Sequence, residues 1–332
     1  MQPVRWGILS TAKIGRVKVV PGMMKSPLCD VIAVASRDEA SARDMAAELG
    51  IAKAYGSYEA LLADPEIEAI YNPLPNHLHV PMTLAAAAAG KHVLCEKPIA
   101  ITADEAKQLG QAASQVLVAE AFMVRHHPQW HRARDVIRSG EIGELRAIQI
   151  SFSYFNVDPA NIRNKADIGG GGLLDIGCYA VVAGRYFFDA EPLRVVTLMD
   201  RDPAFGVDRT TSALMDFGNG RQLSFTVSTQ SVPYQRVQIF GTKGRIEIEI
   251  PFNAPPDKPT RIFVDDGSAH GNQSARAIEF PVVDQYGLQG EAFSQAVRGT
   301  APLVYGWEDA ILNMRILDAL RRSEASSSWE KV

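Results

Sequence analysis

Cysteine is scarce in this chain. Cys29, Cys95 and Cys178 are scattered through 332 residues with no metal-ligand spacing. That excludes a cysteine-ligated metal centre, and free thiols suit a reducing, cytoplasmic setting. No run reaches the roughly 18 apolar residues expected of a membrane span. The apolar stretch 84–89 is short and reads as a buried helix face. The N-terminus leads directly into a strand, 4–9, so no signal peptide is expected. Positive charge is not in excess: 34 Lys and Arg face 38 Asp and Glu, a net charge of -4. That argues against nucleic acid and anionic membrane as main partners. A hydrophobic fraction of 46% and a charged fraction of 22% fit a soluble globular protein. The length predicts about two domains, and no internal repeat is visible.

The first third alternates apolar strands and helices. Strands are predicted at 4–9, 31–35, 69–71, 92–95 and 116–119, with helices from Lys13, at 40–49 and at 80–89. Gly50 and Gly90 stop two of those helices. This grammar predicts a doubly wound parallel sheet. Beyond a helix at 128–139, strand-like runs dominate: 145–155, 193–199, 210–217, 222–228, 235–240 and 245–250. Asn219-Gly220 and Lys243-Gly244 mark tight turns between them. Direct strand-to-strand links predict a large open, mainly antiparallel sheet. Residues 251–271 read as an irregular loop, and 290–298 and 307–322 as closing helices. The expected division is an α/β Rossmann-type domain over 1–124 and an α+β domain over 125–332 for substrate binding and association.

Glu96-Lys97-Pro98 ends the short apolar run His92-Val93-Leu94-Cys95. Pro98 cannot extend the strand, so Glu96 and Lys97 arrive at the carboxyl edge of the sheet. Ligands of open α/β sheets bind outside that edge. A surface lysine paired with Glu96 is the bland alternative.

A dinucleotide turn after the first strand normally follows G-x-G-x-x-G. Here the stretch reads Ser10-Thr11-Ala12-Lys13-Ile14-Gly15, and only the third glycine remains. Ser10 and Ala12 are small enough to admit a pyrophosphate to the backbone, and a helix N-terminus follows. The second strand ends at Ser36-Arg37-Asp38. Ser36 and Arg37 suit an adenosine 2′-phosphate, while Asp38 is placed to cap the next helix, which favours NADP over NAD. Should Asp38 face the ribose instead, the preference reverses. Pro73, Leu74 and Asn76 belong to a stiff loop that could border the nicotinamide, with His79 beyond it. His77 and His79 lack a third metal ligand, so helix-end or surface roles are favoured and no metal is expected.

Together these stretches resemble the Gfo/Idh/MocA oxidoreductases. Pro75-Asn76, Glu96-Lys97-Pro98, Glu120-Ala121-Phe122-Met123 and the segment from Gly169 to Tyr179 carry the resemblance over nearly the whole chain. Tyrosine at 179, preceded by Asn161-Ile162-Arg163, is similar to the branch of xylose-type aldose dehydrogenases, dimeric dihydrodiol dehydrogenase and glucose-fructose oxidoreductase. Asp175 and Tyr179 are four apart and share a helix face. The expected catalytic set is Lys97, Tyr179 and Asp175. Tyr179 accepts the proton, Lys97 lowers its pKa, and Asp175 places a substrate hydroxyl. Expected cofactor contacts are Ser10, Thr11, Ala12, Lys13, Ile14, Ser36, Arg37, Pro73, Leu74, Asn76, His79, Glu96, Lys97 and Arg163.

The expected reaction is NADP-dependent oxidation of an aldopyranose at C1 to a lactone. Oxidation of a trans-dihydrodiol, reduction of a dicarbonyl or keto-sugar, and a non-enzymatic NADP-binding redox sensor are the alternatives. Trp130, Tyr154 and Phe155 could line the pocket. The resemblance also implies a homodimer or dimer of dimers through the second-domain sheet.

Overall fold

A computed structural model describes residues 2–332. It falls into two compact units. The first comprises residues 1–126 and 284–314, the second 127–283 and 315–332. Residues 284–314, placed with the second domain on sequence alone, therefore belong to the first unit.

Six strands build the sheet of the first unit: β1 (Val4–Leu9), β2 (Cys29–Ala35), β3 (Lys53–Tyr55), β4 (Ala69–Asn72), β5 (His92–Glu96) and β6 (Val118–Ala121). Their order is β3-β2-β1-β4-β5-β6, and every pairing is parallel. The doubly wound expectation is thus met. Strand order reverses between β1 and β4, the kind of switch point where such sheets bind ligands. β1, β4 and β6 are almost wholly buried, as strands covered on both faces must be. Helices end as the sequence predicts: Glu39–Leu49 is capped by Asp38 and closed by Gly50 in a left-handed conformation. The returning helix Gln285–Val297 seals the first unit. Ser294 there accepts the Trp6 indole N–H at 3.2 Å, and the Trp6 and Phe293 rings lie 5.4 Å apart.

The second unit is built on nine strands: β7 (Leu145–Phe155), β8 (Arg194–Arg201), β9 (Asp208–Asp216), β10 (Gln222–Ser228), β11 (Gln230–Gly241), β12 (Arg245–Ile248), β13 (Thr260–Asp265), β14 (Arg276–Phe280) and β15 (Glu330–Lys331). The order is β14-β13-β12-β11-β7-β10-β9-β8-β15, and only β7 and β10 pair in parallel. β13 lies in the stretch expected to be an irregular loop. It pairs antiparallel with β12 and β14 through its backbone, and its largely buried side chains are a signal that the surrounding Pro, Asp and Gly residues obscure. Asn219 and Gly220 both adopt positive φ in the β9–β10 turn, as the Asn-Gly signal requires.

Residues 166–188 are long and apolar enough to cross a membrane, although the sequence reading found no such run. Most of that segment is buried, with the helix Cys178–Phe188 among the core elements. Trp130 is also core: it is fully buried, stacks on Phe187 and donates to the Pro251 carbonyl at 2.8 Å. It therefore does not line a pocket.

Candidate active site

The turn after β1 explains how this chain manages without two glycines. Ser10 adopts φ +76°, the left-handed region that a glycine usually supplies. Its hydroxyl accepts the Ala12 N–H at 3.0 Å, which offsets part of the strain. Helical structure follows from residue 13, with a π-type stretch at Gly15–Val19. The first N–H groups of a helix lack intrahelical acceptors, so this turn offers donors to an anion. A Cβ on Gly15 would sit 3.5 Å from Tyr71 and 3.6 Å from Pro73, so the glycine leaves that space open. These residues fit a dinucleotide phosphate.

At the end of β2, the Asp38 side chain accepts from the N–H groups of Ala40 and Ser41 and from the Ser41 hydroxyl. These bonds pull its pKa down, the Ser41 hydroxyl first. Asp38 is thereby committed to the helix cap. Arg37 is exposed, its charge opposes the rise that burial gives the Tyr58 pKa, and Ser36 accepts the Asp38 N–H. Asp38 and Arg37 are both exposed beyond this strand, but the Asp38 oxygens are taken by the cap, whereas Arg37 presents a guanidinium to solvent.

The segment carrying Lys97 is anchored on several sides. The buried Tyr71 hydroxyl donates to Glu96 at 2.7 Å. The Pro98 carbonyl lies 2.7 Å from His79 Nδ1, and the Leu74 carbonyl lies 2.6 Å from Nε2 of the same ring. Asn72 holds the neighbouring loop: its amide donates to the His79 carbonyl at 3.1 Å, and its oxygen accepts the Leu74 N–H. His79 was expected at the cofactor. Instead its ring is 1% exposed and engaged with two carbonyls, and burial pushes its pKa down to about 4. It is a clamp between loops. Asn76 opens a short 3-10 turn, Asn76–Leu78, and is part-exposed, as are Glu96 and Lys97. Leu74 is buried.

Glu120 is the residue that sequence reasoning quoted but did not interpret. Its carboxylate accepts the Ile99 N–H at 2.8 Å and the Asn313 amide at 2.9 Å. Burial pushes its pKa up to about 7 against these bonds and the Arg125 charge. A carboxylate in the middle of an otherwise apolar strand was the available signal.

The second unit assembles its own group. The glycine run folds the 161–165 loop back on itself. Gly170 and Gly171 donate N–H groups to the Lys165 and Arg163 carbonyls, each at 2.9 Å. A Cβ on Gly170 would come within 2.6 Å of both carbonyls, so no other residue fits without movement. This closure brings Arg163 Nε to 2.8 Å from Asp175. The Tyr154 hydroxyl donates to the same carboxylate oxygen at 2.6 Å. Asp175 lies in a π-type turn, Leu173–Gly177, and Tyr179 in the first turn of the helix that follows. Such turns recur at functional sites. Tyr179 is 6% exposed and packs against Phe152 and Phe252. Asp175 raises the Arg163 pKa, and Tyr179 adds to the effect, which places phenol and guanidinium in one electrostatic neighbourhood. Burial, then Asp175, raises the Tyr154 pKa, so that phenol stays a donor. Arg163, expected at the cofactor, is engaged by Asp175 but remains part-exposed. Tyr154 is the group whose partnership with Asp175 was not foreseen.

The first-unit sequence, residues 4–125, matches the family described as "Oxidoreductase family, NAD-binding Rossmann fold". Residues 130–247 match "GFO/IDH/MocA C-terminal domain". An uncharacterized oxidoreductase of Rhizobium meliloti is 47% identical over 100% of both chains. D-xylose 1-dehydrogenase (NADP(+)) 2 of Haloferax volcanii is 39% identical over 96% of both chains. A crystal structure of a 3-ketoreductase from Actinomadura kijaniata, in complex with NADP and TDP-benzene, superposes with a TM-score of 0.90 at 30% identity. The match covers 97% of this chain and 98% of that one.

Proposed function

Because this chain belongs to the Gfo/Idh/MocA oxidoreductase family, we propose that it oxidises C1 of an aldopyranose of the xylose or glucose kind, with NADP as partner. The observation that carries the cofactor choice is the commitment of Asp38 to a helix cap, with Arg37 left exposed. The xylose dehydrogenase relative, named for NADP, supports the same choice. The turn at Ser10, Thr11, Ala12, Lys13 and Ile14 holds the pyrophosphate through backbone N–H groups. Ser36 and Arg37 hold the 2′-phosphate. When bound, NADP supplies the hydride acceptor.

Tyr179 accepts the hydroxyl proton, and the Lys97 ammonium makes its phenolate accessible at neutral pH. Asp175, fixed by Arg163 and Tyr154, orients a substrate hydroxyl. A 3-ketoreductase among the similar structures supports the reverse direction, reduction of a keto-sugar, as a second reading. The experiment is a screen of D-xylose, D-glucose and a trans-dihydrodiol, read as NADPH absorbance with NAD in parallel. Deuterium from C1-labelled xylose should appear in NADPH. Transfer only from the diol, or only from NADPH to a keto-sugar, refutes the aldose assignment. Binding of NADP with no transfer from any of them favours a redox sensor.

The chain acts as a homodimer or dimer of dimers in this proposal. Leu198 and Val232 are 74% and 78% exposed, and Leu214 and Tyr234 are also bare on the nine-stranded sheet. Leu198, Leu214 and Tyr234 line a shallow concavity of about 520 Å³. A bare apolar sheet face of this kind suits a second copy. Three buried free thiols support a reducing cytoplasm as its location.

A further inference from the structure

The backbone that carries Lys97 runs from Glu96, at the end of β5, to Ile99. Strand pairing sets Cys95 opposite Glu120 and Glu96 opposite Ala121, so the Glu120 side chain arises beside this segment. Ile99 is fully buried, and its N–H points to the Glu120 carboxylate at 2.8 Å. The second oxygen is held at 2.9 Å by Asn313, itself fully buried on the helix Trp307–Ser326. Glu120 is 6% exposed. Burying a carboxylate costs several kcal/mol unless its oxygens are satisfied. An apolar residue would fill β6 without that cost, and β6 is otherwise Val, Ala and Ala. The two N–H donors therefore account for a residue that stability alone does not explain.

Each end of the segment has its own side-chain anchor. Tyr71 holds Glu96, His79 meets the Pro98 carbonyl, and Glu120 holds the Ile99 N–H. The Glu120 anchor is itself tied to the helix Trp307–Ser326 through Asn313. A displacement of about 1 Å in a reacting group can cost on the order of 100-fold in rate.

We propose that Glu120 is a positioning residue for Lys97, braced by Asn313, and that it sets where the ammonium group is delivered. The inference rests on the reading of Lys97 as the group that acts with Tyr179. Glutamine should serve nearly as well as glutamate. Its amide oxygen can accept the Ile99 N–H, and the Asn313 amide can turn to accept from its NH2 group. Alanine removes the acceptor from both buried donors.

The test is a double-variant cycle of Glu120→Ala and Lys97→Met, with Glu120→Gln as the conservative control. It uses the full chain, saturating NADP, and D-xylose or whichever screened alcohol reduces NADP fastest. Glu120→Ala should lower kcat by about 10–100-fold, with NADP affinity within about threefold of the parent. Glu120→Gln should restore most of the rate. In the Lys97→Met background, Glu120→Ala should cost little more, because the two act as one unit. If the losses multiply, or Glu120→Ala leaves kcat intact, the role of Glu120 is overturned. An unchanged kcat in Lys97→Met alone overturns the assignment of Lys97, a separate failure. If Glu120→Ala does not fold, Asn313→Ala carries the cycle. It should give a smaller loss that disappears in Lys97→Met, and an unchanged kcat there overturns the proposal.

Discussion

Asp175→Asn and Asp175→Ala should separate the two bonds that meet on one carboxylate. In the parent, Asp175 accepts from Arg163 Nε at 2.8 Å and from the Tyr154 hydroxyl at 2.6 Å. Asparagine removes the charge but keeps an oxygen for Tyr154. A charge-assisted bond contributes about 1.5–3 kcal/mol when shielded. The Arg163 side chain is 39% exposed, so solvent screening reduces its share to about 1 kcal/mol. Alanine also strands the Tyr154 hydroxyl, which adds about 1–3 kcal/mol. The expected order of stability is parent, Asn, then Ala, with Ala about 2–4 kcal/mol below the parent. Calorimetry should show the second unit melting a few degrees lower for Asn and distinctly lower again for Ala. Adding Tyr154→Phe to Asp175→Ala should recover part of the loss, because the stranded hydroxyl is gone. Equal melting of Asn and Ala variants, or no recovery with Tyr154→Phe, refutes the shared-acceptor account.

Three further outcomes follow from other parts of the structure. Arg37→Ala should weaken NADP binding by about 10–100-fold, the worth of one charge-assisted contact, and leave NAD nearly unchanged in a fluorescence titration; equal effects on both cofactors contradict the assignment. His127 is buried, its Nδ1 accepts the Gln129 N–H at 3.1 Å, and burial pushes its pKa down to about 4. The unfolded chain therefore binds the proton first, and stability from this site falls between about pH 6.5 and 4, by about 1.4 kcal/mol per unit. His127→Asn should remove that loss in urea titrations; Glu120 has the opposite sign, so the comparison is variant against parent. Sedimentation should find dimers or tetramers at micromolar concentration, and Leu198→Asp should shift them towards monomer; a fully active monomeric parent contradicts the sheet-face association.

Much of the first unit was legible because its signals are local. Strand runs, glycine stops and the Asp38 cap each lie within a few residues, and the β-α alternation allows few topologies. The second sheet was legible as a type but not in detail. β13 was missed because it lies among loop-forming residues, and nothing local records its pairing with β12 and β14. The return of 284–314 to the first unit was hidden for a similar reason, since helices carry no mark of the sheet they cover. Lys97, Asp175 and Tyr179 were proposed through motif resemblance. The partners that fix the site residues were not, because Tyr71 meets Glu96, Ile99 meets Glu120, and Tyr154 meets Asp175 across 21 to 25 positions. His79 is the converse case. Its place beside a candidate nicotinamide loop suggested a ligand contact, whereas its burial commits the ring to backbone carbonyls.

The most direct measurement is kcat against pH for Tyr179→Phe at saturating NADP, beside the parent and Lys97→Met. Tyr179 packs between Phe152 and Phe252, so phenylalanine preserves the ring contacts and removes only the hydroxyl. The account predicts a loss of about 10²–10⁴-fold in kcat, with NADP affinity nearly unchanged. On the proposed role of Lys97, Lys97→Met should also raise the apparent pKa of the catalytic phenol, because the cation that favours phenolate is removed. A Tyr179→Phe enzyme with near-parental kcat across the pH range contradicts the assignment of Tyr179 as the proton acceptor.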